Sequence, residues 1–205
     1  MKVIGLTGGI ASGKNFVADI LRKDGAVIFD ADHEVHQLLK LNQAVKYHIE
    51  KHFPKALINQ EINKKVLGKI VFEDDEKLKI LEKILHPMVK EKYWEFLNLA
   101  QKERKEIAVL NIPLLLENKY NCDKIVAIVA PTSVRKKRFL ARARQQDPKN
   151  FKAEKKNLEK KFDQILLKQI SNKERKSQAD FVVNSGTSKA DVVKQVKRIE
   201  SLLKV

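Results

Sequence analysis

The sequence predicts an α/β protein, a five-stranded parallel sheet wrapped by helices. Three observations carry this expectation. Five short segments rich in β-branched and aliphatic residues are near-continuously apolar, as strands covered on both faces are. Helical apolar patterns alternate with those segments, and that alternation builds a parallel sheet. The first strand also runs straight into a glycine-rich turn that opens onto a helix pattern.

The first strand is read over Val3–Thr7, and Phe16, Val17, Ile20 and Leu21 follow at helical spacing. The second strand is Ala26–Asp30. About 75 residues then precede the third strand, Ile107–Ile112, far more than one crossover helix needs. Apolar spacing in Gln43–Phe53, Glu61–Phe72 and Glu76–Leu85, then in Val89–Ala100 after His86-Pro87, makes this insertion a helical subdomain, with Trp94 and Leu97 on its core side. The fourth strand is Ile125–Ala130. Two basic helices joined by a mobile turn at Gln145–Asn150 follow, a candidate lid, before the fifth strand at Phe181–Asn184. The last helix carries Val192, Val193, Val196, Ile199, Leu202 and Leu203, and Ser188 with Asp191 forms a capping box at its start. The whole chain, 1–205, is expected to form one domain: a core at about 1–32, 105–141 and 177–205, a helical substrate-binding insertion at about 33–104, and a lid at about 142–170.

Composition narrows the class. With 205 residues, 43% hydrophobic and 33% charged, the chain can bury a core and is neither disordered nor fibrous. No apolar run approaches the roughly 18 residues that span a bilayer, and Met1-Lys2-Val3 opens no signal-peptide pattern, so a cytoplasmic protein without membrane association is expected. Cys122 is the single cysteine, which excludes an internal disulfide framework and a thiolate zinc site and leaves a small, semi-buried packing residue. His48 and His52 stand four apart, but no third ligand of convincing spacing joins them as a zinc site. The net charge is +16, and Ser133–Lys176 alone holds 16 basic and 5 acidic residues, so a polyanionic ligand is expected to meet that segment. No nucleic-acid-binding motif accompanies the charge, and a monomer is expected.

The residues that carry chemistry begin at Gly8-Gly9-Ile10-Ala11-Ser12-Gly13-Lys14-Asn15, directly after the first strand and directly before the first helix. This is the phosphate-binding spacing of two glycines with a following lysine, expected by chance only about 0.04 times in a chain of this composition. Gly9, Ile10, Ala11, Ser12, Gly13, Lys14 and Asn15 are the candidate nucleotide contacts. Loop N–H groups and the helix N-terminus attract phosphate, and Lys14 can reach between the β- and γ-phosphates. The eighth position normally supplies a Ser or Thr hydroxyl to Mg²⁺; here Asn15 offers an amide oxygen instead. Asp30-Ala31-Asp32 closes the second strand, whose carboxyl end shares an edge with the loop, so one aspartate can serve as the base a kinase needs and the other can cap a helix. No D-x-x-G element exists for a GTPase. Arg135-Lys136-Lys137-Arg138 reads as a solvated face, with Arg138 and Arg142 one turn apart and able to point together at phosphate.

In order along nearly the whole chain, these segments resemble the dephospho-CoA kinase family of P-loop kinases. Ile4-Gly5-Leu6-Thr7-Gly8-Gly9-Ile10-Ala11-Ser12-Gly13-Lys14 is close to that family's opening, Asp30-Ala31-Asp32 to its D-A-D, and His86-Pro87 to its H-P. Ile112-Pro113-Leu114-Leu115-Leu116-Glu117 is similar to its P-L-L segment. Arg138 and Arg142 match its paired arginines, and Gln169, Glu174-Arg175 and Ala179 to Gly186 match its closing motif. The resemblance implies transfer of the ATP γ-phosphate to the 3′-hydroxyl of dephospho-CoA, with Mg²⁺ as cofactor. It further implies Asp32 as base, Lys14 and Arg142 on the transferring phosphoryl group, Asn184 to Gly186 beside adenine, and Asp32, His36, His86, Leu114, Leu115 and Glu117 on the acceptor side. Ala11, Asn15 and His36 depart from the family's usual Gly, Ser or Thr, and Arg. A nucleoside monophosphate kinase shares fold and lid and differs in acceptor; a non-enzymatic nucleic-acid-binding P-loop protein is the alternative that the charge suggests.

Overall fold

The computed structural model describes residues 1–112, 115 and 120–203. Among these residues seven strands form: β1 (Lys2–Gly8), β2 (Val27–Asp30), β3 (Leu57–Ile58), β4 (Glu61–Ile62), β5 (Ile107–Asn111), β6 (Lys124–Val129) and β7 (Phe181–Asn184). The helices are α1 (Lys14–Lys23), α2 (Ala31–Leu41), α3 (Gln43–His52), α4 (Lys64–Phe72), α5 (Asp75–Lys102), α6 (Thr132–Gln146), α7 (Phe151–Leu167), α8 (Asn172–Ser177) and α9 (Lys189–Leu203). The chain divides into two compact units, Met1–Phe29 with Arg104–Val205, and Asp30–Glu103.

The first unit is built on the five-stranded parallel sheet, in the order β2-β5-β1-β6-β7. β1 takes the centre because both of its faces are covered: Ile4 and Leu6 on one face are completely buried, and Gly5 and Thr7 on the other are buried as well. It pairs in parallel with β5 through Ile4 and Val109, and with β6 through Leu6 and Val126. β6 continues to β7 through Ile128 and Val183. Helix α1 lays Val17, Ile20 and Leu21 onto this sheet, and α9 adds Val192, Val196, Ile199 and Leu203 to the same cluster. Burying an aliphatic side chain of this size contributes about 1.5–3 kcal/mol, so this cluster stabilises the sheet that carries the loop after β1. The capping box forms as expected: Ser188 Oγ accepts from the Asp191 N–H at 3.1 Å and donates to the Asp191 carboxylate at 2.7 Å. Leu202, expected in the core, is exposed instead, because the apolar face of α9 is completed by its neighbour Leu203.

The second unit is a helical body in which α2, α3 and α4 pack on the long helix α5. Asparagine and aspartate set its helix starts: Asn42 caps α3, Asn63 caps α4 and Asp74 caps α5 through side-chain oxygens. Three features depart from expectation. Helix α5 runs unbroken through Pro87, where two helices were read; the ring removes one rung, to the carbonyl of exposed Lys83, while Leu85, Val89 and Tyr93 stay buried on either side. Trp94 is exposed rather than core, because that buried stripe advances in steps of four and reaches Tyr93. A two-stranded antiparallel hairpin, β3 with β4, also forms around Asn59 and Gln60, both at positive φ.

Candidate active site

The loop between β1 and α1 is shaped by its backbone. Gly13, at φ 92, turns the chain into α1 in a conformation that favours glycine. Ala11 takes φ 54, also left-handed, which costs an L-residue about 1 kcal/mol. The Ser12 N–H closes the turn on the Gly9 carbonyl at 3.0 Å. Helix α1 begins without a side-chain cap and without an acidic residue in its first turn, so its positive end is left to a ligand of negative charge.

Side chains from the strand ends and from α6 to α8 fasten this loop. Ile10 is held at both of its peptide groups: its N–H donates to Gln169 Oε1 at 2.9 Å, and its carbonyl accepts from Arg135 Nε at 2.9 Å. The Ser12 carbonyl accepts from Ser185 Oγ and, at 3.4 Å, from Arg138 Nη1. Arg138 also donates to the Ser185 carbonyl at 2.6 Å. Arg175 Nη1 donates to Thr7 Oγ1, just before the loop. Arg135, read as part of a solvated face, is in fact buried at 4% exposure. Its position in the first turn of α6 explains this, because a helix leaving the carboxyl end of β6 keeps its first turn against the sheet edge. That placement, one turn after Ala130-Pro131, was the signal available in the sequence. Burial, and then the neighbouring Arg175 charge, push the Arg135 pKa down.

The remaining candidates fall as follows. Lys14 is the first residue of α1, and Asn15 follows it with its Oδ1 accepting from Asn111 Nδ2 at 3.2 Å. Asn111, buried at 3% exposure, ends β5 beside β1. Asn184 ends β7 and holds the Gly186 N–H through Oδ1 at 3.0 Å, so its side-chain NH₂ is not spent on that turn. Arg142 lies exposed on α6. In the helical unit, Asp30 caps α2, its Oδ1 accepting the His33 N–H at 3.1 Å, and Asp32 stands exposed in the first turn of that helix. His36 is exposed on α2 and His86 on α5. Leu115 departs from an acceptor-facing role for its side chain: it is 1% exposed, and a Cβ on Gly5 would stand 2.6 Å from its Cδ2. Leu114 and Glu117 lie outside the described residues.

A family model described as dephospho-CoA kinase matches residues 2–191. The chain belongs to the dephospho-CoA kinase family. Membership makes it an ATP-dependent kinase, a nucleotide-binding transferase of coenzyme A biosynthesis. A dephospho-CoA kinase of Bartonella quintana is 40% identical over 100% of both chains. One from a Wolbachia of Brugia malayi is 36% identical over 96% of this chain and 95% of its own. Among solved structures, a dephospho-CoA kinase from Campylobacter jejuni is 27% identical with a TM-score of 0.62, covering 98% of this chain and 97% of that one. A Thermus thermophilus protein is 25% identical with a TM-score of 0.79, covering 98% and 96%. No helix among the described residues is long and apolar enough to cross a membrane.

Proposed function

We propose that this kinase transfers the γ-phosphate of ATP to the 3′-hydroxyl of dephospho-CoA, as a cytoplasmic monomer with Mg²⁺. The observation that carries this is the uncapped start of α1 behind a braced glycine loop, in a chain matched by one kinase family over residues 2–191. Loop N–H groups and the end of α1 hold the β-phosphate, while Lys14 and Arg142 neutralise charge on the transferring group. Asp32 accepts the 3′-hydroxyl proton as the new O–P bond forms and the bond to the bridging β,γ-oxygen breaks, releasing ADP. Asn184 lies by the adenine. His36, His86, Leu114, Glu117 and the backbone at Leu115 serve the acceptor, and the segment at about 142–170 is the lid over ATP.

Asn15 and Asn111 would hold the metal. Both offer amide oxygens, hard but uncharged donors, which suit a cation that keeps waters and rests mainly on substrate phosphates. An Mg²⁺ held there would supply positive charge against the ATP phosphates and so lower the charge an incoming hydroxyl meets. The test is an assay of ADP release with dephospho-CoA against AMP, CMP and pantothenate. Turnover restricted to dephospho-CoA supports the reading; preference for AMP or CMP would move the chain to the nucleoside monophosphate kinases.

A further inference from the structure

A guanidinium as deeply buried as that of Arg135 needs a physical reason. Its Nε is spent on the Ile10 carbonyl, but its Nη2 is buried with no hydrogen-bond partner. That atom lies against Gly9, where a Cβ would stand only 2.6 Å away, so the charge is pressed onto the phosphate loop itself. Among the described residues no carboxylate pairs with Arg135, and the charge that most affects it is that of Arg175, of the same sign and 2% exposed. Arginine keeps its proton under such conditions. A buried charge without a counter-charge is costly, and the cost falls when an opposite charge arrives.

We propose that Arg135 is a positioning residue with two separable roles: its Nε–H fixes the Ile10 carbonyl, and its buried charge gives the loop a positive potential that polyphosphate neutralises. This rests on the nucleotide reading of the loop. Gln169 completes the device by taking the Ile10 N–H, so the residue is pinned from both ends of the α6–α7 pair. The apo loop therefore carries an electrostatic cost that the ligand removes. A mere brace predicts the opposite balance, with stability lost and affinity following it.

Arg135→Gln separates the two roles, since the amide can still donate to Ile10 but bears no charge; Arg135→Lys keeps charge and loses the fork. The full chain is titrated by calorimetry with inorganic tripolyphosphate and with ADP, without divalent metal, at several salt concentrations, alongside thermal unfolding of the apo protein. For Arg135→Gln we expect an apo Tm within about 3 °C of wild type. Both probes should bind at least about tenfold more weakly, with a shallower salt dependence, as loss of one charged contribution implies. Arg135→Lys should retain affinity within about threefold, because the charge remains close. Wild-type affinity in Arg135→Gln would overturn the inference alone, as would a chain that no longer folds. Wild-type protein that binds neither probe would overturn the nucleotide reading and the inference together.

Discussion

Asp30 and Asp32 are two residues apart, and only the first caps a helix. The Asp30 side chain caps α2, whereas Asp32 stands exposed in the first turn. Asp32→Asn keeps size and polarity but removes basicity, so kcat should fall about 10²-fold or more with ATP affinity little changed. Asp30→Ala should instead lower stability by about 1 kcal/mol, the usual worth of a cap, which thermal unfolding reads, while Asp30→Asn, an equally good cap, should leave stability and kcat little changed. A dead Asp30→Asn beside an active Asp32→Asn would exchange the roles. The amide pair next to Lys14 makes a second residue-level prediction. Asn15→Ser with Asn111→Asp places a hydroxyl and a carboxylate where uncharged amides now meet. That double variant should bind Mg²⁺ with ADP at least about tenfold more tightly, as an added carboxylate ligand favours, read as the ratio of ADP affinities with and without the ion. An unchanged ratio would show the amides to be equal to the task.

At the scale of elements, the strands of the large sheet were legible, whereas the hairpin was not and the break expected at Pro87 does not occur. The inner strands β5, β1 and β6 are buried on both faces, and that burial writes itself as continuous apolar runs such as Ile107 to Leu110, all at most 5% exposed, whereas the edge strand β7 leaves Val182 40% exposed. The hairpin of two-residue strands is too short to have a period, and it turns through Asn59 and Gln60 without glycine. The proposed lid is now divisible. Phe162 is fully buried, with its ring 5.6 Å from that of Phe139, and Gln169 is tied to Ile10, so the second half of α7 is anchored. Hydrogen exchange with an ATP analogue should show new protection concentrated at about 142–158 and little change near Phe162, because only the polar part is free to close. Uniform protection, or none, would count against that division. Another element contact governs acid behaviour. Asp180 joins the approach to β7 onto the start of β6, accepting from Lys124 Nζ at 2.9 Å and from the Ile125 N–H at 2.8 Å. The Lys124 bond first, and the Ile125 N–H second, hold its carboxyl below the usual range. Its stabilisation is therefore present above about pH 4 and lost as pH falls through the lower folded-state value. Asp180→Asn should flatten that acid limb and cost about 0.5–1 kcal/mol at neutral pH, a figure kept small by the pair's exposure.

For the whole molecule, the family resemblance was readable because it rests on order along the chain, whereas Arg135 was hidden because a run of four basic residues looks the same whether one of them turns inward or not. Trp94 escaped for a related reason, since a helix face one residue out of phase differs by 100° and composition alone does not fix the phase. The net charge of +16 is the property that belongs to no single element, and most of it lies in Ser133–Lys176. If that charge serves polyanionic substrates, it acts largely by steering and long-range attraction, which salt screens within about 10 Å at 0.1 M. Raising ionic strength from about 0.05 to 0.5 M should therefore raise KM for ATP several-fold while kcat changes little, because the short contacts of Lys14 in the bound state are screened much less. Lys14→Ala supplies the control: it should keep the fold, as read by Tm, and lose turnover at every salt concentration. A KM that ignores salt would mean that the basic segment answers to something other than the substrates of this reaction, and would return the charge to the nucleic-acid reading for direct test.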